Sequence, residues 1–99
     1  MTESKVHVVA RLQAKPGQEA AVRGLLHALL EPTRRERGCL RYELFQARDT
    51  PTAFVFLEEW ESDAALDAHL AGPTIQGALP RVLPLLTVPP EIIRYQPLR

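Results

Sequence analysis

Charge of one sign is what this sequence most plainly lacks. Twelve Lys and Arg residues are matched by twelve Asp and Glu over 99 residues. With no net charge to offer phosphates or anionic lipid, binding to nucleic acid or to a membrane surface is not expected. The longest stretches free of charge, Ala68 to Pro80 and Val82 to Pro90, are broken by prolines and fall short of the roughly 20 apolar residues that span a bilayer. Cysteine is almost absent too: Cys39 stands alone, closes no internal disulfide and suits a reducing compartment. Met1 to Lys5 has no cationic head leading into an apolar run, so no secretory signal is read there and a cytoplasmic location is the expectation. Metal and nucleotide signatures are missing as well. His7, His27 and His69 have neither HxH nor HExxH spacing, Cys39 has no CxxC partner, and the five glycines form no GxGxxG or GKS/GKT cradle.

What is present suits one soluble globular domain over residues 1–99, since 45% hydrophobic and 24% charged residues can build a core and keep a wet surface. Val6, Val8, Ala10, Leu12 and Ala14 alternate with His7, Val9, Arg11 and Gln13, which predicts a half-buried strand. Lys15-Pro16-Gly17 breaks it, and Ala21, Val22, Leu25, Leu26, Leu29 and Leu30 then fall at helical spacing. The spacing predicts a helix from about Gln18 to about Arg37, kinked at Pro32 and stopped by Gly38. Cys39 to about Ala47 and Ala53 to Trp60 alternate on either side of the turn residues Asp49-Thr50-Pro51, as an antiparallel hairpin does. Ser62 is a good N-cap for a helix through Ala65, Leu66, His69 and Leu70 that ends at Gly72-Pro73. A further turn or two follows from Ile75 to Leu79, limited by Pro80. Val82 to Pro90 reads as an irregular connector and Glu91 to Gln96 as the last strand. The order β-α-β-β-α-β is that of an α+β ferredoxin-like fold, one four-stranded antiparallel sheet with helices on one face.

The other face is then left bare. It would carry Val9, Phe45 and either Phe54, Phe56 and Trp60 or Val55 and Leu57; the alternation of the third strand supports either side, and the reading adopted turns Trp60 inward. An apolar patch of that kind is unusual on a monomer. Covering several hundred Å² per subunit at about 25 cal/mol per Å² is worth on the order of 10 kcal/mol before association costs. A homodimer, sheet facing sheet, is expected.

Three stretches carry a resemblance. The run Phe54-Val55-Phe56-Leu57-Glu58-Glu59-Trp60-Glu61-Ser62 is followed by Ala65-Leu66 and His69, the first strand leads into Lys15-Pro16-Gly17, and the second opens Gly38-Cys39-Leu40-Arg41-Tyr42-Glu43-Leu44. In this combination the sequence resembles the antibiotic biosynthesis monooxygenase family over most of its length. The resemblance implies a dimeric α/β-barrel with a cavity between the sheet and its helices. It also implies oxidation of small phenolic, quinol or polyketide-like aromatic substrates by O₂, with no flavin, haem or metal. Such a ring, once deprotonated, can pass an electron to O₂, so the protein's task is to bind it, favour the anion and exclude water.

By the same resemblance Trp60 is the stacking wall of the pocket and His69, on the second helix, the base or hydrogen-bond partner. A tryptophan would equally fill a core position, and a histidine a half-exposed helix face. Tyr42, Glu58, Arg94 and Tyr95 stand on strands that would bring them to the same cavity as substrate-binding groups, with Arg41 a further cation; Glu58 would alternatively pair with an arginine. Thr74 stands where many relatives carry a second histidine, which removes one candidate base. The haem-degrading branch uses a first-strand asparagine, whereas this sequence has no Asn and places Ala10 there, so haem chemistry is not expected. Arg34-Arg35-Glu36-Arg37 reads as a solvated helix end suited to the helix dipole, and Cys39 as the filler of a small slot. Two rival readings stay open. One is an isomerase of a small carbonyl or phosphorylated metabolite, which would turn over without oxygen. The other is a non-catalytic binding or assembly dimer, whose cavity would be too small for an aromatic ring.

Overall fold

Residues 4–98 are described by the structure, a computed structural model. Strict alternation shapes the middle of the sheet. On β1 (Val6–Gln13) the side chains of Val6, Val8, Ala10 and Leu12 are buried, and on β3 (Ala53–Trp60) those of Phe54, Phe56, Glu58 and Trp60. Trp60's side of the third strand therefore looks inward, toward the helices. β2 (Cys39–Gln46) and β4 (Glu91–Tyr95) complete a sheet of order β2-β3-β1-β4 in which every pairing is antiparallel. This is the ferredoxin-like α+β arrangement that the element order predicts. One side chain departs from it. A bulge between Cys39 and Arg41 takes Leu40 out of register, so Leu40, which strict alternation would place on the same side as the buried Tyr42, is 50% exposed.

The first helical stretch is two helices. α1 (Glu19–His27) ends and α2 (Leu30–Arg34) begins around Ala28, whose carbonyl Pro32 cannot serve because it has no N–H and its ring crowds that oxygen. The kink expected there is a full break, and the Leu29 N–H donates to the Leu26 carbonyl at 3.1 Å in a tighter turn. α3 (Asp63–Ala71) is capped by Ser62, whose Oγ accepts from the Ala65 N–H at 3.1 Å. α4 (Pro73–Val82) outlasts the expected turn or two: Pro73 opens it, and Pro80 is tolerated inside it on an exposed side where Gln76, whose carbonyl loses its donor, is exposed as well. A 3₁₀ turn at Leu83–Leu85 follows, in the stretch expected to be irregular.

Val22, Leu26, Leu29, Leu66 and Val82 close over the inward face of the sheet, and Glu58, His69 and Thr33 are buried among them. The opposite face is open. There His7, Val9 and Arg11 of β1 lie beside Tyr95, Ile93 and Glu91 of β4, and Leu57, Val55 and Phe45 continue the surface across β3 and β2. Among the described residues no helix is long and apolar enough to cross a membrane.

Candidate functional site

The capped start of α3 sets the phase of that helix, turning Leu66 and His69 to the sheet, where both are buried. Two residues apart on the inward face of β3, Glu58 and Trp60 meet through their side chains: the indole N–H donates to Glu58 Oε1 at 2.9 Å. The indole also stacks on the His69 imidazole, with centroids 4.6 Å apart and planes 30° apart. Tyr42, opposite Glu58 on β2, meets His69 edge-on at 5.7 Å and stacks on Phe56 at 4.8 Å. Nδ1 of His69 lies 2.7 Å from Oε1 of Glu36, which reaches in from the turn after α2.

Burial governs the protons here. It pushes the Glu58 carboxyl up from 4.5 to about 7, with the Glu36 charge adding to the rise and the Trp60 hydrogen bond opposing it. Burial and then the Glu58 charge drive the Tyr42 phenol far above its ordinary range. The neighbouring Thr33 hydroxyl opposes this only weakly and itself finds no partner in full hydrogen-bonding geometry. Tyr42 is thus a neutral donor. Burial, then the Glu58 and Glu36 charges, push the Cys39 thiol up to about 11, which leaves it a poor nucleophile.

A narrow apolar cavity of about 70 Å³ opens between sheet and helices. Tyr42, Phe56, Glu58 and His69 form its buried floor, and the less buried Leu70, Ile75, Leu79 and Ile92 its mouth. Three of the residues singled out from the sequence, His69, Tyr42 and Glu58, thus come together on one hollow. Trp60 is fully buried one layer behind it, against His69 and Glu58, and does not line the wall. Arg94 lies elsewhere: on the outer strand β4 it binds Asp63 at 2.8 Å and Asp67 at 2.6 Å of α3, and those two hydrogen bonds hold its guanidinium above its ordinary range. Tyr95 stands on the open face beside His7, and Arg41 pairs with Glu43 at 2.6 Å on the exposed edge. Glu36 is the residue the sequence hides, since its arginine neighbours give it the look of a solvated helix end. A larger concavity of about 460 Å³ wraps the end of the sheet near Arg11, Gln13, Phe45 and Val88, but none of the buried titratable side chains reaches it. Among the described residues no group of three or more His, Cys, Asp or Glu stands close enough to hold a metal ion.

Residues 5–81 match the family profile described as antibiotic biosynthesis monooxygenase. The chain belongs to the antibiotic biosynthesis monooxygenase family. Rv0793 of Mycobacterium tuberculosis, which bears a provisional monooxygenase name, is 37% identical over 96% of this chain and 93% of its own. Its structure superposes with a TM-score of 0.90, covering 97% of both chains. PA3566 of Pseudomonas aeruginosa is similar at a TM-score of 0.92 and 30% identity, over 100% of this chain and 99% of that one. YcnE of Bacillus subtilis, also provisionally named a monooxygenase, is 28% identical over 88% of this chain and 92% of its own. Family membership and these names support a monooxygenase-like role.

Proposed function

We propose that this family member is a cofactor-independent oxygenase of small phenolic, quinol or polyketide-like aromatic compounds, working in the cytoplasm as a homodimer. The observation that carries the proposal is a histidine whose Nδ1 is engaged by a carboxylate while its ring lines an apolar hollow beside a carboxyl titrating near 7. That pairing suits proton abstraction from an acidic ring position. His69 takes the proton, while Glu58 in its protonated form and the neutral Tyr42 phenol donate toward the developing oxyanion. The anion is oxidised by O₂; for an anthrone-type CH₂ one oxygen atom ends as the ring carbonyl and the other leaves as water with the two hydrogens. Trp60 supports the site from behind by orienting Glu58 and covering one face of the imidazole. The homodimer reading rests on the open sheet face, where Phe45, Ile93 and Tyr95 are 46%, 37% and 45% exposed.

One observation favours a second reading. A hollow of about 70 Å³ is about half the volume of an engineered cavity that takes benzene, so an aromatic ring enters only if α4 and β4 move apart. In a non-catalytic assembly module the hollow would stay shut. Oxygen uptake with a panel of hydroquinones and anthrones separates the readings. The oxygenase consumes O₂ in step with substrate, an isomerase turns substrate over anaerobically, and a module does neither.

A further inference from the structure

We infer that Glu36 is the positioning residue of His69: its carboxylate fixes the imidazole as the Nδ1–H tautomer and leaves Nε2 as the free basic nitrogen of the site. The inference deepens the reading of His69 as a base, and only its link to turnover rests on that reading. A carboxylate accepts hydrogen bonds and does not donate them, so at 2.7 Å the proton of that contact belongs to Nδ1. The two side chains are 2% and 25% exposed, and His69 is the one side-chain partner of the Glu36 carboxylate among the described residues. Two of its three cationic neighbours are engaged elsewhere, Arg34 Nε on the Tyr42 carbonyl at 2.9 Å and Arg35 on Glu31 at 3.3 Å. The indole stacked at 4.6 Å blocks one face of the ring and opposes the flip that would exchange its nitrogens.

The backbone explains how a residue in a charged run comes to face inward. The Glu36 N–H donates to the Thr33 carbonyl at 3.0 Å, the Cys39 N–H donates to the Glu36 carbonyl at 3.1 Å, and the turn so formed is docked on the start of α3 by the Glu61 N–H on the Gly38 carbonyl at 2.9 Å. Gly38 has φ +84°, and a Cβ there would sit 2.6 Å from the Ala65 Cβ and 3.0 Å from Glu61 Cγ. Only glycine lets the turn lie this close. Ala65 and His69 are one helical turn apart on the same face of α3. The contact of Gly38 on Ala65 therefore sets Glu36 opposite His69.

The test needs no substrate. Long-range ¹⁵N–¹H correlation spectra of the ¹⁵N-labelled protein at neutral pH report the tautomer of each histidine, and the pattern absent in His69→Gln belongs to His69. The wild type is expected to show a protonated Nδ1 and an unprotonated Nε2. In Glu36→Gln, which keeps size and fold but can donate as well as accept, the bias is expected to be lost and both tautomers populated; Glu36→Ala is expected to do the same. An Nε2–H tautomer in the wild type, or an unchanged pattern in folded Glu36→Gln, would overturn the inference. A merely structural Glu36 would alter Tm and leave the tautomer alone. With a turned-over phenol, kcat is expected to fall about 10- to 100-fold in Glu36→Gln with KM little changed. Absent oxygen uptake alongside the expected tautomer would refute the oxygenase reading while leaving the role of Glu36 intact.

Discussion

Glu58 feels its surroundings pull in two directions: burial and the Glu36 charge favour its proton, and the Trp60 indole N–H favours its loss. Burial prevails. Between 4.5 and about 7 the folded chain holds a proton that the unfolded chain has released, so stability falls as pH rises through that window and levels off above it. The loss contributed by this one group is about 3 kcal/mol. Denaturant unfolding between pH 5 and pH 8 is expected to show this decline in the wild type and to lose most of it in Glu58→Gln; a variant declining as steeply would place the titration elsewhere. His69 was legible as a site candidate through the resemblance, and Tyr42 and Glu58 as polar groups on strands that would reach the same cavity. Glu36 was not, because it sits in a charged run beyond the last apolar position of the predicted helix and its partner is 33 positions away. Trp60, given its role by the resemblance, and Arg94, read from its strand alone, both fall outside the lining of the hollow. An indole can serve a site from behind its wall, and an arginine on an outer strand finds nearer carboxylates in Asp63 and Asp67.

At the scale of elements, the two turns built on left-handed glycines differ in what surrounds them. Gly17 has φ +86° with nothing within 4 Å of the place a Cβ would take, whereas Gly38 has φ +84° with Ala65 and Glu61 in the way. Backbone strain alone costs about 1–2 kcal/mol, so Gly17→Ala is expected to lower stability by that much. Gly38→Ala is expected to lose more, because the turn must also lift off α3. Equal shifts in Tm would mean that the turn is not docked as described. The strands were readable to within a residue because alternation has a short, strict period. The helices were less so: Pro32 cut a helix that its apolar spacing carries through, and α4 ran past Pro80 because its cost is small where the orphaned carbonyl belongs to an exposed residue.

At the scale of the whole molecule, the fold leaves apolar side chains among ion pairs on the open side of the sheet and a narrow polar-floored hollow on the other. On the proposed function a second copy covers the first. Light scattering at micromolar concentration is expected to give the mass of two subunits for the wild type and of one for Leu57→Lys, which places a charge on the open face of β3; a wild-type mass of one subunit would refute the dimer. On the same proposal the hollow takes a ligand whose proton passes to His69. Oxygen consumption with a hydroquinone or anthrone substrate, compared between the wild type and a His69→Ala variant shown to be folded by circular dichroism, tests that most directly. A rate lower by on the order of 10²-fold or more is the expected result; equal rates would contradict it.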